Sequence, residues 1–216
     1  MSTPVGFTTH RLLRAGLVAG PLFLAVIIGQ LLTREGFDIR RQPISLLSLG
    51  DQGWIQVSNF VVTGVLCIVF AIGVGRTVTS GPGRTWLSLL FVGFGLGILA
   101  GGIFVPDPGM GYPVGAPEGI PEHLSWHGML HAVAPPLAFV ALVAGCIVVA
   151  RRFRAEGLNG WATYSLLTGV LVLFLSAIGD MASSGVRLLL ATAIGFAWVA
   201  AFAHHLRRQV RAAARP

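Results

Sequence analysis

The sequence predicts an all-α membrane protein, a bundle of six transmembrane helices, and three observations support this fold class. Apolar residues make up 54% of the 216 residues, charged residues make up only 11%, and lysine is absent. A soluble domain needs about a quarter of its residues charged to cover its surface. The apolar residues are also gathered in long runs joined by short polar segments. The surface of the folded chain must therefore face lipid.

Six runs reach the length of roughly 20 mostly apolar residues that a helix needs to cross a bilayer. A β-barrel is not expected, because it requires alternating segments of about ten residues. The predicted spans are residues 15–32, 55–75, 85–105, 123–150, 161–181 and 187–205. The first is expected to remain uncleaved, since no small-residue cleavage site follows it. Residues 1–14 are predicted to form a cytoplasmic N-terminal segment, and residues 206–216 a basic cytoplasmic tail.

The distribution of arginine predicts the orientation of the bundle. Segments on one side hold 11 of the 15 arginines, and seven of the eight acidic residues lie on the other side. Cytoplasmic loops are enriched in basic residues. We therefore expect both termini in the cytoplasm and the protein in the cell (inner) membrane. The arginines of the predicted inner side are Arg11, Arg14, Arg76, Arg84, Arg151, Arg152, Arg154, Arg207, Arg208, Arg211 and Arg215.

The net charge of +7 does not indicate nucleic-acid binding, because the arginines are divided among several loops. Cys67 and Cys146 lie within apolar runs, where a thiol is typical of a small buried hydrophobe. No disulfide or cysteine metal site is therefore predicted. The bilayer itself is the first expected partner.

Glycines at four-residue spacing predict close packing between helices. Gly93, Gly97 and Gly101 follow this spacing on the third span, and Gly16 and Gly20 follow it on the first. Small residues let helix backbones approach each other in lipid, where the hydrophobic effect no longer drives association. The alternative is that the spacing only reflects how common glycine is in this chain, which has 29 of them.

The first segment on the predicted outer side, residues 33–54, combines apolar residues with serines. This pattern favours a short helix in the interface or tucked between the spans. Its Arg41, Ser45 and Ser48 are candidates for contacts to a substrate. Gln56 and Asn59 follow on one face of the second span. They form either a polar contact between helices or a further part of the substrate-binding surface.

The second outer segment, residues 106–122, is dominated by proline and glycine and predicts a turn-rich cap rather than a helix. Asp107 stands between Pro106 and Pro108 at the end of the third span. A carboxylate in this position is either a solvated helix end or part of a functional site.

Three histidines, His123, His127 and His131, recur every four residues at the start of the fourth span. This spacing places them in one stripe of a helix. Two histidines four residues apart can share a divalent metal such as zinc, or can relay protons. Pro135 follows His131 by four residues and should free the His131 carbonyl, which would make a polar pocket there. The alternative is that these histidines bond to neighbouring helices.

The last outer turn places Asp180 and Arg187 seven residues apart. An ion pair between them is the simplest interpretation. Arg187 could instead bind an anionic group of a lipid or substrate.

The outer segments resemble those of a known family of membrane proteins called "domain of unknown function 998". The resemblance covers most of the chain and implies the same six-span architecture, but it implies no activity. It is carried by residues 41–50 (RQPISLLSLG), 53–56 (GWIQ), 59–60 (NF), 104–108 (FVPDP), 113–115 (PVG) and 127–131 (HGMLH).

These patterns leave three functions open. The first is a small membrane hydrolase or transferase that acts on a lipid or lipid-linked substrate. The second is a non-catalytic module that binds a lipid or a partner. A small-solute permease is less favoured, because ionisable residues are nearly absent from the middle of the spans. In the enzyme, a metal or proton relay would use Asp107, His127 and His131, and the substrate would contact Arg41, Ser45, Ser48, Gln56, Asn59 and Arg187.

Overall fold

The computed structural model describes residues 4–180 and 184–213 and folds them into six long α-helices. Each helix is long and apolar enough to cross a membrane, and no strand occurs in the described part of the chain. Met181, the predicted end of the fifth span, and Arg215 lie outside the described residues. The helices are α1 (Pro4–Thr33), α2 (Gly53–Thr77), α3 (Trp86–Ile103), α4 (Trp126–Ala155), α5 (Asn159–Ala177) and α6 (Ser184–Ala213), with a 3₁₀ helix at Ile44–Ser48 between α1 and α2.

The helices extend beyond the apolar runs at the two ends of the chain. Helix α1 begins within the predicted N-terminal segment 1–14, and α6 continues through most of the predicted tail 206–216. The length of an apolar run is set by the thickness of the hydrocarbon layer, whereas a helix ends where its backbone hydrogen bonds end. Basic side chains do not interrupt those bonds, so both terminal segments remain helical.

The prediction that three histidines share one helix is wrong for His123. Helix α4 begins at Trp126, because the hydroxyl of Ser125 accepts a hydrogen bond from the N–H of Gly128 and caps the helix. His123 therefore lies before the helix and is exposed, and only His127 and His131 follow the helical stripe.

The six helices form a closed ring in chain order. Each helix packs against the next, and α6 packs against α1 to complete the circle. Helices α4 and α6 both pack along α5 but scarcely touch each other. The ring has two ends, which we define by their connections: the cap end holds residues 34–52 and 104–125, and the arginine end holds residues 78–85 and 156–158.

Aromatic side chains fill the ring towards the arginine end. Phe91 packs against Phe70 with ring centroids 4.9 Å apart, and the Trp198 and Phe202 rings stack at 5.8 Å. Trp198 is fully buried, and its indole N–H donates to the Ser165 hydroxyl at 3.0 Å. These large rigid rings leave little space between the helices, so the arginine half of the ring is closed.

The predicted glycine contacts are confirmed on the first helix and in part on the third. A Cβ atom added to Gly16 would lie 2.7 Å from Phe70, and one added to Gly20 would lie 2.6 Å from Phe196. On α3 a Cβ at Gly97 would lie 2.7 Å from Ala138 of α4. At Gly93 and Gly101 the nearest atoms would be 3.6 and 3.9 Å away, which is ordinary contact. Of the three α3 glycines predicted to make close contacts, only Gly97 therefore requires the absence of a side chain.

The proline- and glycine-rich segment forms the predicted turn-rich cap, and a buried arginine attaches it to the first connection. Arg34 is 9% exposed, and its Nε–H donates to the Tyr112 hydroxyl at 2.9 Å. Its Nη2 donates to the carbonyl oxygens of Leu47 and Leu49 at 3.0 and 2.5 Å. These carbonyls lie at the end of the 3₁₀ helix, where a cation compensates unpaired acceptors.

Arg34→Gln is expected to loosen the cap. The amide cannot reach all three oxygen atoms, and hydrogen bonds to a charged donor each contribute roughly 1.5–3 kcal/mol. We expect the free energy of unfolding to fall by about 2 kcal/mol or more, measured by thermal unfolding in detergent. Proteolysis within residues 106–122 should become faster.

The matched control is Arg40→Gln. Arg40 lies in the same connection but is exposed, and within the described part of the chain its side chain bonds to Asp38, two residues away. No measurable change in unfolding is expected for this variant. Equal stability of the two variants would contradict the attachment role of Arg34.

Candidate functional site

The cap end of the ring contains a groove of about 540 Å³ between the cap-end halves of α4, α5 and α6. This volume lies within the range of roughly 300–1,000 Å³ typical of ligand sites. Polar side chains gather at its end near the connections, and apolar side chains line the rest. The polar lining includes Ser45, Asp107, His131, Asp180, Ser184 and Arg187, and the apolar lining includes Phe139, Val140, Val143, Leu173 and Leu188.

The groove is open at the side where a bilayer would surround the bundle. Val140 of α4 is 62% exposed and Leu173 of α5 is 51% exposed, although both line the groove. A molecule in the surrounding lipid could therefore reach the groove sideways, without passing through the cap.

A second, smaller cavity of about 90 Å³ lies deeper in the ring. Its lining is apolar except for Ser45 and Thr192, and includes Phe60, Phe94 and Phe196. Leu142 lies at its floor, where a Cβ atom added to Gly195 of α6 would be only 2.6 Å from the leucine side chain. Helices α4 and α6 thus meet at this level and enclose the cavity from below.

Asp107 caps the start of α4 together with Ser125. The main-chain N–H of Ser125 donates to Oδ2 of Asp107 at 2.8 Å, and the Ser125 hydroxyl donates to Oδ1 at 2.6 Å. The hydroxyl bond lowers the pKa of Asp107 below its ordinary value. The carboxylate lies so close over the helix that a Cβ atom at Gly128 would collide with it. Gly128 is therefore required by this capping arrangement.

The two helical histidines each bond to a backbone carbonyl at the end of α3. Nδ1 of His131 lies 2.6 Å from the Phe104 oxygen, and Nδ1 of His127 lies 3.1 Å from the Val105 oxygen. A carbonyl only accepts hydrogen bonds, so each Nδ1 carries the proton that is donated. His131 is buried and lines the groove.

The predicted metal site gains no support from this geometry. Among the residues that the structure describes, no three histidine, cysteine, aspartate or glutamate side chains are placed to hold one ion. Asp107 bonds to Ser125, and the histidines bond to carbonyl oxygens. A divalent metal such as zinc at Asp107, His127 and His131 stays a prediction.

Arg187 binds the end of helix α5. Its Nη1 donates to the carbonyl oxygens of Leu175, at 3.1 Å, and of Ile178, and its Nη2 donates to the main-chain oxygen of Asp180 at 2.7 Å. Arg187 therefore contacts the main chain of Asp180, and the predicted ion pair with the Asp180 carboxylate stays a prediction. A cation at this helix end also compensates the negative end of the helix dipole. The guanidinium remains half-buried at the polar end of the groove.

The other predicted substrate contacts are divided between the groove and the rest of the bundle. Ser45 lines both cavities. Arg41 is exposed and pairs with Glu118 of the cap at 2.8 Å, and Ser48 is buried in the 3₁₀ helix. Arg41 and Ser48 therefore do not line the groove.

Gln56 and Asn59 form the polar helix contact that was one of their two predicted roles. The Gln30 side-chain amide of α1 donates to Gln56 at 2.8 Å, and the Asn59 amide donates to the Phe23 carbonyl oxygen at 3.1 Å. All three polar side chains are buried. They hold α1 against α2 and do not line either cavity.

Three residues of the cap end were not singled out by the sequence: Arg34, Ser125 and Tyr112. A serine immediately before an apolar helix is a recognised N-cap signal, so Ser125 could have been found. Arg34 and Tyr112 are 78 positions apart, and no local pattern indicates their contact.

The model of a family described as a protein of unknown function (DUF998) matches residues 17–205 of the chain. No curated protein and no solved structure matches the chain.

Ser125→Ala is expected to weaken the start of α4. Loss of an N-cap side chain costs about 1 kcal/mol of stability. The lowered pKa of Asp107 adds a pH dependence with a defined sign. The carboxylate stabilises the fold fully above the ordinary aspartate pKa of about 3.9, and this contribution is lost as the pH falls through the lower value of the folded state. Thermal unfolding measured from about pH 7 to about pH 3 should show a smaller acid-induced loss in the variant.

Ser176→Ala is the control, because Ser176 lines the same groove but bonds only locally to the Leu173 carbonyl oxygen at 3.3 Å. Its unfolding should follow the wild type at every pH. An unchanged acid profile in Ser125→Ala would show that the Asp107 cap does not contribute to stability.

Proposed function

The chain belongs to the DUF998 family of multi-pass membrane proteins of unknown function, and we propose that it binds one lipid-like amphiphile in the cap-end groove. The observation that carries this proposal is the division of the groove into a polar end and an apolar length that is open towards the bilayer side. An amphiphile has the same division. It would enter from the membrane with its headgroup at the level of the cap.

The polar end of the groove suits a headgroup that carries both hydrogen-bond donors and an anionic group. Arg187 offers a positive charge, and Asp107 and Asp180 offer negative charges. Pro135 and Pro136 lack the amide donors that the carbonyls of His131 and Ala132 would otherwise bind within α4. His131 and Ala132 line the groove, so their main-chain carbonyl groups are available as acceptors for an ammonium or hydroxyl group.

The apolar length suits a hydrocarbon chain. Phe139, Val140 and Leu173 provide an apolar surface, and no charged residue lines the groove beyond its polar end. Each buried methylene group contributes about 0.8 kcal/mol relative to water. A ligand taken from lipid gains less than this from its chain, so headgroup contacts also contribute to its retention.

Orientation and membrane follow from the arginines and are part of the proposal. With the arginine end in the cytoplasm, the cap end and the groove mouth face the outside of the cell membrane. The bound headgroup would then lie in the outer leaflet.

Catalysis at the same groove is the second candidate function, favoured by the contact of the Ser125 hydroxyl with the His127 ring at 3.1 Å. A hydrolase nucleophile needs a histidine placed between the serine and the carboxylate. Here the serine lies between Asp107 and His127 and also caps α4. This order favours a structural role for Ser125, and we therefore place binding before hydrolysis or group transfer.

Val140→Trp is expected to displace the amphiphile, because the indole would occupy the apolar length of the groove. The protein would be extracted with its surrounding lipid into nanodiscs, purified, and analysed by native mass spectrometry for bound molecules that survive removal of the bulk lipid. We expect occupancy to fall at least about tenfold relative to the wild type.

Val170→Trp is the matched control, since Val170 has the same 62% exposure as Val140 but does not line the groove. It should retain its bound molecule. If the wild type carries no amphiphile, or if Val140→Trp retains it as well as the control does, the groove is not a lipid site.

A further inference from the structure

The small inner cavity continues the groove towards the centre of the ring. The two share five lining residues, which include Phe139 of α4 and Leu188 of α6. Both side chains are only half-buried. Rotation of an aromatic or leucine side chain is a fast local motion. The two spaces can therefore be joined without movement of a helix.

From this continuity, and resting on the proposed function, we infer that the amphiphile has a single straight acyl chain whose methyl end occupies the inner cavity. The cavity volume of about 90 Å³ decides the class of ligand. An engineered apolar cavity of about 150 Å³ accommodates one benzene ring. A smaller space suits the end of one chain but not two chains or a sterol ring.

The walls of the inner cavity set a limit on chain length. Phe94 and Phe196 pack with ring centroids 5.6 Å apart, and Leu142 lies against Gly195 at the floor. Beyond them the aromatic side chains around Trp198 fill the ring. A chain that reaches this layer can extend no further, so a longer ligand would lose contacts at its headgroup or bend back into the groove. The protein is therefore a chain-length selector.

Two positions in the cavity wall allow this inference to be tested. A Cβ atom at Gly101 of α3 would lie 3.9 Å from Phe60, so a side chain can be added there without a backbone collision. Gly101→Leu would fill the inner cavity from α3, and Thr192→Leu would fill it from α6. Because the two substitutions lie on different helices, a folding defect in one variant would leave the other variant to test the inference.

The experiment offers purified protein an equimolar mixture of lysophosphatidylethanolamines with single acyl chains of about 10 to about 18 carbons. Native mass spectrometry then reads the relative occupancy of each chain length. In the wild type, occupancy should rise by up to about fourfold per added methylene until the cavity is full, and then level off. In both variants it should level off at a chain at least about two carbons shorter, with roughly tenfold weaker retention of the wild-type optimum.

Gly93→Leu is the matched control. Gly93 lies on α3 like Gly101, a Cβ atom added there would lie 3.6 Å from the Cβ atom of Ala141, and the residue does not line the cavity. It should keep the wild-type optimum. Binding with the same optimum in wild type, Gly101→Leu and Thr192→Leu would overturn the chain-end pocket and leave the proposed function standing. An equal shift in Gly93→Leu would also overturn it. A wild type that retains none of these lipids would contradict the proposed function itself.

Discussion

Inside a bilayer no water is present to bind a polar group, so each buried donor or acceptor must find its partner within the protein. Much of the cap end follows from this constraint. Arg34 and Arg187 both donate to backbone carbonyls at the end of a helix, where acceptors are otherwise unpaired. At the start of α4 the roles are reversed, because Asp107 and the Ser125 hydroxyl accept hydrogen bonds from main-chain N–H groups. Arg34, Arg187 and Asp107 thus bind helix ends of the protein itself before they are available to a ligand.

The distribution of side-chain volume explains why space remains at only one end of the ring. Trp198 and Phe202 fill the arginine half, and Leu142 against Gly195 joins α4 to α6 above them. Towards the cap end a groove remains between α4, α5 and α6, and Phe139 of α4 and Leu188 of α6 line it without filling it. The groove is therefore a consequence of where the aromatic residues lie along the helices.

The candidate site shows how far local sequence patterns reach. Asp107, His131 and Arg187 were predicted as functional residues, and all three line the groove. His123 failed because Ser125 starts the helix two residues later, a local capping effect that outweighed the four-residue spacing. Gln56 and Asn59 were also predicted as possible site residues, but both bond to α1 and lie away from the groove. Helical periodicity shows that two residues share a face, but it does not show which neighbouring helix that face contacts.

The sequence by itself determined the six apolar spans, the gathering of seven of the eight acidic residues and three of the six histidines at one end, and the turn-rich cap. These properties depend on composition and on order along the chain, which hydropathy and turn residues express directly. Only the tertiary structure decided that Arg34 binds Tyr112, that α6 closes the ring on α1, and that His131 and Arg187 line one groove. These are contacts between residues far apart in sequence, and their geometry is set by how side chains of different volume pack between the helices.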